Sequence, residues 1–232
     1  MKHFVPSKHG AERLPPSLPE VFLRADAPER MNQDREDGQN AFLILTDEAR
    51  IGLITDLIVH LEDMKPLNTA ATGSAFRLAW ELEPYLGGKR LGTYFSAAEI
   101  ISAGRFESGV SEIVGRLANE MMTADERRRL SETKAPLIVY RGGVGDPASI
   151  SQGMSWTTDI SCADFYARKW LVRWGAAGEP RILSSQIEPE VVAAMFDGRD
   201  ESEILIPNGL PVERVVEVPT LSDVKPRSSG SC

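Results

Sequence analysis

At 232 residues, with 42% hydrophobic and 26% charged positions, the chain suits one large domain with flanking tails and has ample apolar material for a core. A net charge of −8 argues against broad nonspecific binding to nucleic acid or acidic membranes, though it leaves room for a local basic groove. Cys162 and Cys232 make no disulfide framework, no apolar run is long enough for a membrane span, and Met1–Pro6 lacks the apolar core of a signal peptide. A cytoplasmic protein that does not enter the membrane is the expectation.

Residues 1–40 hold Pro6, Pro15, Pro16, Pro19 and Pro28 and end in the polar run Asn32–Asp37. This composition predicts an extended or disordered arm, with Val21, Phe22 and Leu23 as its docking anchors. Residues 41–134 read as helical. Thr46 caps a helix with Ile54, Leu57, Ile58, Leu61 and Met64 on one face, and Ser74 is a candidate cap for a second. Ser96 and Glu99 have capping-box spacing with Gly104 as a stop, Val110 to Met121 form another stripe, and Thr123 and Glu126 repeat the box.

The texture changes at residue 135. Strands are predicted at Leu137–Tyr140, Arg181–Ile187, Ile204–Ile206 and Val212–Val218, with a helix from about Ser161 to Trp174 capped by Asp159 or Ser161. Helices first and strands later define an α+β domain over 41–218, with a strand-rich core at 135–218 and a mobile tail at 219–232.

Several chemistries are poorly served by this composition. The histidines are His3, His9 and His60, two in the arm and one on a helix, which disfavours a Ser-His-Asp or Cys-His site. No Cys/His cluster has zinc spacing, so no metal is expected. Gly142-Gly143-Val144-Gly145 follows a strand without a Lys-Ser/Thr or a helix start, and reads as a strand exit rather than a phosphate loop.

Three patterns remain. A strand ends in Tyr140-Arg141-Gly142; Gly153-Met154-Ser155-Trp156-Thr157-Thr158-Asp159 leads into an aromatic helix; and Glu201-Ser202-Glu203 precedes Ile204-Leu205-Ile206-Pro207. Side chains alternate along a strand, so Glu201 and Glu203 share a face, where each raises the cost of ionising the other. Either acid alone reads as a solvated strand-mouth residue. In this order and context the patterns resemble the arginine–serine–glutamate class of mono-ADP-ribosyltransferases, over residues 135–218.

The resemblance implies a two-sheet α+β core that binds NAD as a substrate in the cleft between the sheets. Glu203 corresponds to the acid that stabilises the oxocarbenium-like ribose as nicotinamide leaves. Glu201 corresponds to the acid that positions and deprotonates an arginine acceptor. Ser155 matches the motif serine that holds the glutamate and the ribose, and Thr157 the second motif hydroxyl. Arg141 matches the arginine that binds the NAD phosphates, with Tyr140 beside it, and Gly142 would let backbone groups approach the nicotinamide amide. Trp156, Phe165, Tyr166 and Trp170 read as packing residues, although one of the helix aromatics could face the nicotinamide.

The family often places an aromatic three positions before its first acid, whereas this chain has Gly198 there, so target recognition does not carry over. The implied activity is transfer of ADP-ribose to a macromolecule, with a protein arginine as the expected acceptor. Such activities often belong to bacterial or phage toxins and effectors, acting in the target cell and paired with an antidote protein. An NAD glycohydrolase and a catalytically silent interaction module with the same fold are the alternatives.

Overall fold

The computed structural model describes residues 18–81, 109–174, 178–197 and 202–221. A helical layer comes first: α1 (Glu20–Leu23), α2 (Met31–Leu43), α3 (Asp47–Glu62), α4 (Thr69–Glu81), α5 (Gly109–Met121) and α6 (Ala124–Glu132). There follow β1 (Leu137–Val144), α7 (Pro147–Ser151), β2 (Ser155–Thr157), α8 (Ile160–Trp174), β3 (Pro180–Ile187), β4 (Ala194–Phe196), β5 (Glu203–Leu205) and β6 (Val216–Val218). Among the described residues no helix is long and apolar enough to cross a membrane.

The strands form a six-stranded sheet in the order β4-β5-β2-β1-β3-β6, every neighbouring pair antiparallel. The expected division into two sheets is therefore corrected to one sheet among the described residues. The reason lies in β1, which pairs with β3 over its whole length and also with β2. The pairing with β2 is the single register pair Tyr140 and Thr157, so two three-stranded halves are joined at one point.

The sheet separates two apolar clusters. Alternation turns Ala194, Phe196 and Leu205 toward the helical layer, where they meet Phe22, Phe42, Leu57, Phe76 and Leu117. Val139, Trp156, Leu183, Met195 and Ile204 point the other way and pack with Ile150.

The first forty residues depart from the expected arm. From Leu18 onward they are ordered: Val21 and Phe22 are buried as anchors, Leu23 is exposed, and the polar run lies within α2. That helix carries one acid inward while most of its other polar side chains stay exposed or half-buried. Asp34, buried to 1% exposure, accepts from Asn68 Nδ2 at 2.9 Å, and Arg24 lies beside it. Asn68, not Ser74, caps α4, through Ala71 N–H at 2.9 Å. Ser74 is buried inside the helix and donates to Arg35 and Ala71 carbonyls.

Helix α3 begins at its Thr46 cap with Ile54, Leu57, Ile58 and Leu61 buried, while Met64 lies beyond its end and is exposed. The Thr123–Glu126 capping box is formed in both directions. β1 runs through Gly142 and Gly143 to Val144, so the glycines are strand interior rather than strand exit. Val212–Arg214 is a 3-10 turn after Pro211, which shortens the expected last strand to Val216–Val218. The Ser96–Glu99 capping box and the tail beyond Leu221 lie outside the described residues.

Candidate active site

Cross-strand pairing gathers the motif residues. Tyr140 lies opposite Thr157, and Thr157 opposite Glu203, which places all three on one face of the sheet. Ser155, two residues before Thr157, shares that face. Its hydroxyl donates to Glu203 Oε1 at 2.5 Å. The same oxygen accepts from the indole Nε1–H of Trp80 at 2.9 Å. Glu203 is only 7% exposed, so its carboxylate is held by side-chain donors where water cannot freely solvate it.

The backbone entering Glu203 is bent. Ser202 has φ 43°, the left-handed region that residues other than glycine seldom adopt, and its carbonyl accepts from Thr158 N–H at 3.2 Å. Such strain persists where surrounding contacts over-determine it. Here the β2–β5 ladder supplies those contacts.

Arg141 leaves β1 on the opposite face and turns its guanidinium toward the start of β2. Nε–H donates to the Ile150 carbonyl at 2.8 Å, and Nη1–H donates to the Ser155 carbonyl. The guanidinium lies where a side chain on Gly153 would begin, so any Cβ there would overlap it. The residue as a whole is half-buried, but the guanidinium itself is packed among backbone atoms. That burial pushes it down to about 10, with the Glu203 carboxylate opposing the shift. It therefore remains a cation at neutral pH.

Gly142 is buried against helix α8. A Cβ there would strike the Ala163 carbonyl and crowd the Ala167 nitrogen, so helix–strand packing demands this glycine. The helix itself is fixed at its start by Asp159, which accepts from Ser161 N–H at 2.8 Å and Ser161 Oγ–H at 2.7 Å. Trp156 is 1% exposed on the face away from Glu203, with its indole N–H donating to the Gly153 carbonyl at 2.9 Å, as befits a packing residue. Phe165 and Tyr166 meet edge to face at 5.4 Å, with Phe165 half exposed. Glu201 and Gly198 lie outside the described residues.

Three contributors escaped the reading of the sequence. Trp80 sits 123 positions from Glu203 on a helix that shows only an apolar stripe. Gly153 stands two places before Ser155, inside a stretch already singled out, and its spacing from the motif serine was the available signal. The third is the pair Arg77–Glu126, 2.9 Å apart and buried, whose Glu126 also accepts from Asp197 N–H at 2.9 Å. Its capping box was legible, but its reach to the sheet was not.

Comparison of the chain with protein-family models, curated proteins and solved structures found no match.

Proposed function

We propose that the chain is an NAD-dependent mono-ADP-ribosyltransferase that modifies a macromolecule, with protein arginine as the acceptor class. The observation that carries this reading is the contact between the Ser155 hydroxyl and Glu203 Oε1, with a constrained, cationic Arg141 bound to the carbonyl of the same Ser155. A buried carboxylate held by fixed donors suits a step in which positive charge develops on a sugar, because its negative charge needs no reorganisation as the reaction proceeds. In the proposed reaction the bond between the nicotinamide nitrogen and the ribose carbon breaks, and its electron pair stays with nicotinamide. Glu203 stabilises the oxocarbenium-like ribose. A guanidine nitrogen of the acceptor then bonds to that carbon and gives up a proton, which Glu201 takes in this reading.

Arg141 commits Nε–H and one Nη1–H to the protein, and its remaining N–H groups are the donors proposed for the NAD phosphates. Tyr140 and Thr157, neighbours of Glu203 on its face, are proposed to line the nicotinamide ribose side. An exported toxin or effector role, with an antidote protein, goes with the family resemblance.

The test is incubation of the full chain with NAD labelled on the adenylate and a cell lysate, followed by separate analysis of protein and nucleic acid. Label on protein, released by treatments that cleave arginine linkages, is expected. Label on nucleic acid would move the acceptor class, and free ADP-ribose without labelled macromolecule would favour the glycohydrolase. Intact NAD in every sample would overturn the reading.

A further inference from the structure

We propose that Trp80 is a positioning residue for the Glu203 carboxylate, fixing from the helical layer the direction in which the catalytic acid points. Its catalytic consequence rests on the transferase reading above. The contact itself does not.

Among the described residues, two donors of different character meet Glu203 Oε1. The Ser155 hydroxyl can swing about its bond and can accept as well as donate. The indole N–H of Trp80 can only donate, and it sits on a rigid ring, so it defines one direction for the acceptor. A hydroxyl and an indole meeting the same oxygen from two elements leave the carboxylate little freedom to rotate.

The helix that carries Trp80 is itself tied to this part of the sheet. One turn earlier, Arg77 pairs with Glu126 at 2.9 Å and stacks over the Phe196 ring at 3.8 Å. Phe196 is the direct cross-strand partner of Glu203. Glu126 in turn accepts from Asp197 N–H, at the end of β4. Helix α4 thus holds both strand ends that flank residues 198–201: Asp197 through Arg77 and Glu126, and Glu203 through Trp80. The hold exists only when the helical layer is seated on the sheet, which makes the N-terminal half of the chain part of the site and not merely its support.

Trp80→Phe retains an aromatic ring in the apolar layer while removing the N–H donor together with part of the indole, so the folded state and NAD affinity are read alongside activity to separate positioning from packing. In the full chain, nicotinamide release by Trp80→Phe should fall about 10- to 100-fold, the range for loss of one hydrogen bond to a charged group. NAD affinity measured by calorimetry should stay at the wild-type value. Release within a few-fold of wild type, with NAD bound equally well, would overturn the proposal. So would a parallel loss of NAD binding and native structure, since that marks a packing role.

A second measurement is independent of any activity. In a proton–nitrogen spectrum, the Trp80 indole signal is identified as the one missing in Trp80→Phe. That signal should move upfield in Glu203→Ala, while the signals of the other tryptophans stay near their places. A Trp80 signal unmoved by Glu203→Ala would overturn the contact, even if the wild-type chain leaves NAD intact and the transferase reading falls separately.

Discussion

The two charged ends of the candidate site are held in opposite ways. The carboxylate of Glu203 is gripped by side chains from distant parts of the chain, Ser155 on β2 and Trp80 on α4. The guanidinium of Arg141 is gripped by main-chain carbonyls from one short stretch, 150–155, and by the absent side chain of Gly153. The acid's setting can be taken apart one side chain at a time and depends on the helical layer. The arginine's setting belongs to the backbone of the β1–β2 connection, whose carbonyls accept from it, and among the described residues its hydrogen bonds offer no side-chain acceptor to remove. A site that must keep a cation partly desolvated, yet still charged, gains rigidity from such a backbone cradle.

The difference can be broken most forcefully on the acid side. Arg77→Met should leave Glu126 buried without its ion-pair partner and loosen α4 over Phe196 and Asp197. Breaking a buried pair by removing one partner costs about 3–5 kcal/mol. Urea unfolding should show a loss of that order, and a midpoint near that of wild type would mean that the pair does not anchor the helical layer.

On the arginine side, Gly153→Ala should act through volume alone. The new methyl group overlaps the guanidinium, and overpacking of this kind costs about 1–3 kcal/mol. Stability should fall accordingly, and NAD affinity with it if the displaced Arg141 is the phosphate ligand. Unchanged stability would show that the cradle is looser than the geometry requires.

The smallest effect sharpens the same side. Burial raises Asp159, but hydrogen bonds from Ser161 and Cys162 outweigh it and hold the carboxyl below its ordinary range. A carboxylate depressed in the folded state adds stability above its unfolded value, about 3.9, and loses it as pH falls through the folded value. Asp159→Asn should therefore flatten the loss of stability below about pH 4. Solvent screening keeps the change small. Acid unfolding curves that superimpose would remove Asp159 from the pH dependence.

The parts of the chain that were legible share a local cause. Thr46 and the Thr123–Glu126 box announce helix starts within four residues, and the apolar runs of β1, β3 and β5 announce buried strands. Ser155, Thr157 and Glu203 could be singled out because each sits in a short motif. Trp80 could not, since its partner is fixed by tertiary contact alone. Residues 32–37 read as a solvated arm because most of their polar side chains do stay exposed or half-buried; the one that turns inward, Asp34, is paired with Asn68 by tertiary contact, which no local pattern reveals. The short strand Ala194–Phe196 and the brief helix Pro147–Ser151 are too small to carry a periodicity.

In the proposed reaction Glu203 stabilises charge on a ribose as nicotinamide departs. The most direct test of this role is free nicotinamide released from NAD by the full chain and by Glu203→Gln, with the folded state of each checked by thermal unfolding. The amide keeps the shape and an acceptor for Ser155 and Trp80 but lacks the charge. The account predicts a folded variant whose release falls on the order of 10²- to 10³-fold. Release within a few-fold of a demonstrably active wild type would contradict it.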